Sequence, residues 1–164
     1  MTGNSLAQGI EGFAAYLRIE RRYSPATLAN YTRSLRQLNE YLHTQNVTRW
    51  REVRGEQIQA FIAKSHRAGL SPGSLRDMLS AYRSFYRWLA REGEAPTNPA
   101  IGVRSPKAPR KLPQVLDVDE VGALLDFPVN DPESVRDRAL LELLYSSGLR
   151  VSELTSVRWR DLDM

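Results

Sequence analysis

Residues 135–162 read V-R-D-R-A-L-L-E-L-L-Y-S-S-G-L-R-V-S-E-L-T-S-V-R-W-R-D-L. Apolar residues recur at helical spacing in the first half of this stretch and predict an amphipathic helix. They are Ala139, Leu140, Leu143 and Leu144, with Leu141 widening the stripe. Gly148 follows them, where a helix commonly ends in a left-handed residue that glycine adopts at little cost. A second short helix is predicted from about Val151, so the stretch is typical of two helices joined by a tight turn.

Arg150 lies in this predicted turn, and the two helices would fix the direction of its side chain. One interpretation is an ion pair with a nearby carboxylate such as Glu153, which is the commoner case for a lone arginine in a turn. The other is a cation that the turn aims in one direction for a role outside the turn. The stretch by itself leaves both interpretations open.

The composition is that of a soluble globular protein, with 41% hydrophobic and 26% charged residues. The chain has no cysteine, which excludes disulfides and thiolate metal sites. His43 and His66 lie in separate segments without a second ligand at helical spacing, so neither a metal nor another cofactor is expected. No apolar run reaches the length of a membrane span, and residues 1–8 lack the features of a secretory signal. A cytoplasmic protein with no membrane partner is therefore expected.

The net charge of +4 hides a division of charge along the chain. Residues 1–113 contain 18 lysines and arginines against 8 acidic residues, whereas residues 114–164 contain 5 against 11. The two parts therefore carry net charges of +10 and −6. A strongly basic first part is typical of a surface that binds a polyanion such as nucleic acid.

Four helices are predicted within residues 1–95, and no segment shows the alternation of a strand, which indicates an all-α bundle. The expected ranges are about 5–22, 25–44, 55–67 and 72–92. Ser24-Pro25 and Ser71-Pro72 each combine an N-cap with a proline in the first helical turn. Trp50 lies in a connection and is expected to anchor the core.

Residues 96–113 are predicted to be an interdomain linker, because closely spaced prolines exclude a helix and favour an extended chain. The prolines are Pro96, Pro99, Pro106, Pro109 and Pro113, and basic residues, Lys107 among them, lie between them. These basic side chains either lie in solvent or contact phosphates, and Lys107 is the candidate for such a contact. Asp117 and Glu120 then have the spacing of a capping box, and a further domain is predicted over residues 114–164.

The fourth predicted helix carries basic and hydroxyl side chains on one face. Four of them recur at steps of three or four residues, and Arg91 continues the row. They are Arg76, Ser80, Arg83 and Arg87. Asp77 and Glu92 flank this row and are expected not to neutralise it. An ordinary solvated face is the alternative, but such faces usually mix glutamate with arginine, so nucleic-acid binding is favoured. Reversing the charge of Arg83 and Arg87 is expected to abolish DNA binding and leave the fold unchanged.

The second predicted helix carries a similar polar and basic mixture. Its candidate contacts are Thr27, Arg33 and Arg36, with Asn30 and Gln37 between them.

Several motifs together resemble the tyrosine recombinases of the phage integrase superfamily, and within it the bacterial XerC and XerD recombinases that resolve chromosome dimers. Gly148-Leu149-Arg150-Val151-Ser152-Glu153-Leu154 is similar to the motif of the family's first catalytic arginine. The other matching pieces, in family order and spacing, are Ser24-Pro25-Ala26-Thr27 with Tyr31, residues 79–89, Asn98-Pro99-Ala100 leading to Pro106-Lys107, and Leu112-Pro113 followed by Asp119-Glu120-Val121.

The resemblance implies a four-helix SAM-like core-binding bundle at residues 1–95, two of whose helices cross the DNA major groove. It also implies a linker at residues 96–113 that lets the bundle and a catalytic domain clamp the duplex. Arg150 would then bind the scissile phosphate during attack by a tyrosine hydroxyl, and Glu153 would orient Arg150 or support the turn.

The family's catalytic set continues with a lysine on a β-hairpin, a His-x-x-Arg motif, a histidine or tryptophan, and the tyrosine nucleophile. These are expected beyond Met164, so residues 114–164 would be the first helices of an incomplete, truncated α+β catalytic domain. Tyr145 precedes Arg150 on the predicted helix and is expected to pack rather than to attack. The 164 residues alone are therefore expected neither to cleave nor to join DNA.

Three functions remain open from the sequence. The first is the DNA-binding part of a recombinase that acts on a double-stranded recombination site, with a XerD-like partner in a tetrameric synapse when full length. The second is a non-enzymatic DNA-binding module that occupies recombination sites or modulates an intact partner. The third is a truncated product with no role of its own.

Overall fold

The computed structural model describes residues 6–107 and 115–161, and within these ranges the chain is helical, with no strand. The chain separates into two units, Met1–Arg110 and Lys111–Met164. The first unit contains α1 (Leu6–Ile19), α2 (Pro25–Thr44), a 3₁₀ turn (Trp50–Glu52), α3 (Gly55–Arg67) and α4 (Pro72–Arg91). The second contains α5 (Val118–Leu125), α6 (Pro132–Ser147), α7 (Val151–Leu154) and a 3₁₀ turn (Trp159–Asp161). The all-α prediction is confirmed.

The starts of α2 and α4 follow from their Ser-Pro signals. The Ser24 hydroxyl accepts a hydrogen bond from the backbone N–H of Thr27 at 3.2 Å, and the Ser71 hydroxyl accepts one from that of Ser74 at 3.1 Å. In both helices a proline occupies the first turn, where its missing N–H is not needed. Helix α1 ends earlier than predicted, because the chain reaches a left-handed residue at Arg22, with φ of 49°.

An aromatic core joins the helices of the first unit. Trp50 is 3% exposed, and its indole N–H donates to the backbone oxygen of Leu6 at 2.9 Å, which confirms its predicted anchoring role. The Phe85 ring lies edge-on to Trp50 at 4.7 Å. Tyr82 and Tyr86 are fully buried, and their hydroxyls donate to the backbone oxygens of Ser34 and Trp50. Burial raises the pKa of both phenols far above its usual value, so both stay neutral. The core therefore fixes the orientation of α4 about its own axis.

The contact between Gly9 and Trp50 leaves no room for a side chain. A Cβ atom at Gly9 would lie 2.7 Å from Nε1 and 2.8 Å from Cδ1 of the Trp50 ring. We expect Gly9→Ala to lower the free energy of unfolding of the bundle by about 1–3 kcal/mol through overpacking, although alanine favours a helix. Gly73→Ala is the matched control, since its Cβ would meet only the Ser71 hydroxyl at 3.6 Å. Urea unfolding followed by circular dichroism measures both, and a Gly9→Ala protein as stable as the control would contradict the packing described.

The segment after α4 packs on the bundle. Ala95, Ala100 and Val103 are 0–4% exposed and belong to the core cluster. Small and β-branched side chains between the prolines let the extended segment lie against the helices. The described part of the predicted linker, residues 96–107, therefore lies against the bundle, and the remainder, 108–113, lies outside the described residues.

In the second unit, local capping signals fix the helix ends. Asp117 and Glu120 form the predicted capping box, with N–H to carboxylate distances of 2.8 and 3.0 Å. Asp131 begins α6 by accepting hydrogen bonds from the backbone N–H groups of Glu133 and Ser134, each at 2.9 Å. Two hydrogen bonds from Ser134 lower the pKa of Asp131. The one from its backbone N–H has the larger effect, and the one from its hydroxyl the smaller. Gly148 ends α6 with φ of 65°, as predicted.

Few side chains of the second unit are buried. Leu154 is the one buried apolar residue among residues 115–161, whereas Leu140 and Tyr145 on α6 are 39% and 59% exposed. Leu141, Leu143 and Leu144 are half-buried, and Ala139 is exposed. The sequence predicts a packing role for Tyr145, and within the described residues that prediction is wrong. The physical reason is that α6 finds only the short helices α5 and α7 to pack on in its own unit.

Candidate nucleic-acid interface

The exposed face of α4 is set by the burial of its opposite side. Arg76, Ser80 and Arg87 are exposed, and they lie on one face because they are separated by multiples of a helical turn. The other side of α4 is buried in the core through Leu75, Met78, Leu79, Tyr82, Phe85, Tyr86 and Leu89. The hydrogen bonds from the Tyr82 and Tyr86 hydroxyls prevent α4 from rotating about its own axis, so the arginines are held toward solvent.

Arg83 differs from its neighbours in this row. Its side chain is half-buried, and its Nε and Nη2 atoms donate to the backbone oxygens of Ala100 at 3.1 Å and Val103 at 2.7 Å. From the sequence, Arg83 is predicted to be equivalent to Arg87, and reversing its charge is expected to leave the fold unchanged. These contacts argue against that expectation for Arg83, because a glutamate there would face two carbonyl oxygens. A DNA contact by Arg83 remains a prediction.

Arg91, at the end of the row, is paired with acidic side chains. Its Nη2 lies 3.1 Å from a carboxylate oxygen of Glu92 and 3.5 Å from one of Glu20, and its guanidinium stacks over Tyr16 at 4.3 Å. The hydrogen bond to Glu92 raises the pKa of Arg91. The expectation that Glu92 leaves the row unneutralised is therefore wrong at this position.

Helix α2 presents its candidate contacts beside α4. Arg33 and Arg36 are exposed, and Arg33 donates to the side-chain oxygen of Asn30. Thr27 is half-buried, and its hydroxyl bonds that of Ser24 at 2.9 Å, so it belongs to the cap of α2. A polar groove of about 420 Å³ runs between the two helices. It is lined by Asn30, Arg33, Ser34, Gln37, Leu70, Ser74, Asp77 and Met78. The structure thus brings part of the polar face of α2 against the amino-terminal half of α4.

Four arginines of these helices carry uncompensated charge. Within residues 6–107 and 115–161, no carboxylate lies within ion-pair distance of Arg33, Arg36, Arg76 or Arg87. We call these four residues the arginine face. Because each cation lies on a rigid helix and is exposed, the face can hold several backbone phosphates at fixed spacing.

A second depression extends the basic surface toward the end of α1. It has a volume of about 210 Å³ and is lined by Tyr16, Leu17, Arg21, Tyr23, Ser84, Arg87, Trp88 and Arg91. The sequence does not single out Arg21 or Tyr23, although the Arg21 guanidinium lies 5.9 Å from the Tyr23 ring centroid. Only the packing of α1 on α4 brings them to Arg87, so no local signal could have found them. Lys107, the candidate from the linker, is exposed.

In the second unit, Arg150 and Glu153 form the ion pair that the sequence leaves open. Arg150 Nη1 lies 2.9 Å from Glu153 Oε1, and the backbone N–H of Arg150 donates to Glu153 Oε2 at 2.8 Å. Glu153 therefore both caps α7 and holds the guanidinium. The Arg150 side chain is 82% exposed, so its remaining donors face solvent. The geometry is that of an oriented cation, and its role in catalysis remains a prediction.

Within the described ranges, no three His, Cys, Asp or Glu side chains lie close enough together to hold a metal ion. A search of the same residues finds no helix long and apolar enough to cross a membrane.

Comparison with known proteins gives consistent matches along the chain. Residues 10–93 match the phage integrase N-terminal SAM-like domain, and residues 114–164 match the phage integrase family. Tyrosine recombinase XerC of Xanthomonas campestris pv. campestris is 50% identical over 155 residues, which are 94% of this chain and 48% of the relative. Tyrosine recombinase XerC of Salmonella typhi is 44% identical over 164 residues, 100% of this chain and 55% of the relative. The chain spans about half the length of these curated relatives.

Solved structures share the fold at low sequence identity. A lambda integrase dimer bound to a COC′ core site has a TM-score of 0.70 and 19% identity, covering 98% of this chain and 44% of that chain. The N-terminal domain of a phage integrase/site-specific recombinase from Haloarcula marismortui has a TM-score of 0.56 and 17% identity, covering 62% of this chain and 96% of that chain. Together with the family matches, these similarities establish that the chain belongs to the phage integrase family and carries its SAM-like N-terminal domain.

Proposed function

We propose that this chain is the DNA-binding part of a XerC-like site-specific tyrosine recombinase. Residues 1–95 bind duplex DNA, and residues 114–164 begin the catalytic domain. The exact extent of the linker between them, predicted at 96–113, is part of the proposal. Family membership and the XerC relatives support the recombinase assignment.

The observation that carries DNA binding is the arginine face, four exposed guanidinium groups on two rigid helices without an acidic partner in the described residues. The +10 charge of residues 1–113 supports it independently. Neutralised phosphates release bound counterions, so such a face gains most of its affinity at low salt. The polar groove between α2 and α4 adds amide and hydroxyl groups that can read base edges.

For Arg150 we propose the role of an electrostatic clamp on the scissile phosphate. A guanidinium can donate two parallel hydrogen bonds to phosphate oxygens and so stabilise the extra negative charge of the transition state. Glu153 holds the Arg150 guanidinium through a contact of 2.9 Å. Thr27, Ser80 and Lys107 complete the proposed set of DNA-contacting residues. Arg83 is left out of this set, because its guanidinium bonds the backbone oxygens of Ala100 and Val103.

The biological context is also part of the proposal. A recombinase of this kind would act in the cytoplasm on a double-stranded recombination site, in DNA integration and in the resolution of chromosome dimers before chromosome partition and cell division. Its partner would be a XerD-like recombinase in a tetrameric synapse. The XerC names of the relatives support this context, and the lambda integrase structure contains a dimer on DNA.

Selection from a pool of randomised duplexes tests the site-specific part of this proposal. The chain is incubated with the pool at low salt, bound DNA is amplified, and several rounds are sequenced. We expect enrichment of one family of related sequences. A pool that stays random although DNA is retained would contradict site-specific recognition and leave only a general affinity for polyanions. The variant Arg76→Glu/Arg87→Glu is the control, and it should retain little DNA at any round.

A further inference from the structure

The chain reverses direction after α4. Gly93 adopts φ of 73°, and the backbone N–H of Glu94 donates to the Leu89 oxygen at 2.9 Å. Ala95 then lies buried against the core. We call residues 95–106, which follow this reversal, the strap.

The strap runs back along α4 and forward along α3. Asn98 lies beside the middle of α4, where its side-chain N–H donates to the Arg83 backbone oxygen at 3.0 Å. Further on, the Ser105 hydroxyl donates to the backbone oxygen of Pro72, at the start of α4, at 3.2 Å. On the α3 side, the backbone N–H of Arg104 donates to the Gln59 side chain at 3.3 Å. The strap therefore lies against both helices and is antiparallel to α4.

Arg83 makes the most extensive contacts with the strap. Its guanidinium bonds the backbone oxygens of Ala100 and Val103, and its own backbone oxygen accepts from Asn98. The Asn98 side-chain oxygen in turn accepts from the Ala100 N–H at 3.1 Å. Ala100 and Val103 are 0% and 4% exposed, so the backbone N–H and C=O groups around them are shielded from water. These groups therefore need hydrogen-bond partners within the protein. Because Arg83 is charged, its hydrogen bonds are of the stronger kind.

We infer that Arg83 is a positioning residue, which clamps the strap and so determines where the chain leaves the bundle. With the strap in place, the chain leaves the bundle beside Pro72, at the amino end of α4. Without it, the chain would leave at Arg91, where α4 ends. Helix α4 has 20 residues, so the exit point moves by about 30 Å. Between Ser105 and the start of α5 there remain residues 106–117, which span at most about 45 Å, whereas residues 92–117 would span about 95 Å.

This clamp fixes the point at which the chain leaves the bundle, relative to the DNA proposed to lie on the arginine face. That consequence rests on the function proposed above, whereas the strap and its clamp can be tested without DNA. The competing role for Arg83 is a direct phosphate contact through its charge. Arg83→Lys separates the two, because it keeps the charge and loses the guanidinium that reaches both carbonyl oxygens.

The test uses paired nitroxide labels at Ala90→Cys and Lys107→Cys, which are both exposed, in a chain that has no other cysteine. Electron-electron double resonance is recorded without DNA on this labelled chain and on labelled Arg83→Lys, Asn98→Ala and Arg87→Gln variants. We expect one narrow distance distribution for the parent and for Arg87→Gln, and a broad one for the other two. Exchange of the Ala100 amide should also become about tenfold to a hundredfold faster in Arg83→Lys. Circular dichroism checks that the helices remain in each.

A narrow distribution in Arg83→Lys and Asn98→Ala would overturn the inference, whether or not the chain binds DNA. A duplex titration in a salt series, with unlabelled Arg83→Gln and Arg87→Gln, then separates position from contact, because both variants remove one positive charge. We expect Arg87→Gln to reduce the salt slope by about 1 and Arg83→Gln to retain the slope of the wild-type chain. A slope reduced equally by Arg83→Gln would mean that Arg83 acts as a phosphate contact, and would also overturn the inference.

Discussion

Replacing both Arg76 and Arg87 with glutamate is expected to weaken binding to duplex DNA by on the order of a hundredfold or more at low salt. Each exposed guanidinium would lose a charge-assisted contact with a phosphate, and each glutamate would add repulsion. The slope of log affinity against log salt should also fall by about 2. Fluorescence anisotropy with a labelled duplex across a salt series measures both quantities.

The matched control is Arg49→Glu/Arg51→Glu, which changes the net charge equally. Both residues flank Trp50 outside the arginine face and are exposed. We expect this control to lose only a few-fold in affinity, because long-range attraction alone is reduced. Equal losses in the two double variants would mean that net charge, and not the arginine face, determines binding. Unchanged thermal unfolding of both proteins is required for the comparison.

The amides of α6 are expected to exchange with solvent more than about a thousandfold faster than those in the centres of α2 and α4. Protection against exchange reflects the free energy of opening, which ranges from near zero to the full stability of a domain. Residues 115–161 bury Leu154 alone among their apolar side chains, whereas the bundle has a continuous aromatic and aliphatic core. Hydrogen exchange followed by mass spectrometry resolves the two units.

Equal protection of both units would contradict this account of the second unit. Val118, Leu124, Val135 and Leu140 are exposed, so self-association is the most direct way in which protection could rise. Exchange is therefore measured at two protein concentrations tenfold apart. Protection of α6 that depends on concentration identifies self-association, and protection that does not depend on it means that α6 is stable in a single chain.

The sequence predicts those features of the fold that have local causes. Helix α3 begins and ends at the predicted residues, and the Ser-Pro pairs mark the starts of α2 and α4. Gly148 ends α6 because a left-handed residue is needed there, which glycine signals directly. The amphipathic pattern of α4 also predicts which side is buried and hence where Arg76 and Arg87 lie.

The features that the sequence does not predict depend on contacts between distant residues. Arg83 and Val103 are separated by 20 positions, and Arg91 and Glu20 by 71, so helical periodicity carries no information about either pair. Prolines in residues 96–113 suggest an extended chain, and they do not reveal that part of it packs on α3 and α4. Tyr145 is predicted to pack because it follows an apolar stripe, but a stripe does not guarantee a surface to pack on.

The most direct test of the central claim, that the arginine face binds duplex DNA, is a titration of ¹⁵N-labelled protein with a short duplex, observed through backbone amides and arginine side-chain signals. We predict that the largest shift changes lie at Arg33 and Arg36 on α2 and at Arg76 and Arg87 on α4. Signals at Arg49 and Arg51 should change little, and all changes should diminish as salt is raised. Absence of any change at low salt, or changes concentrated at Arg49 and Arg51, would contradict the account.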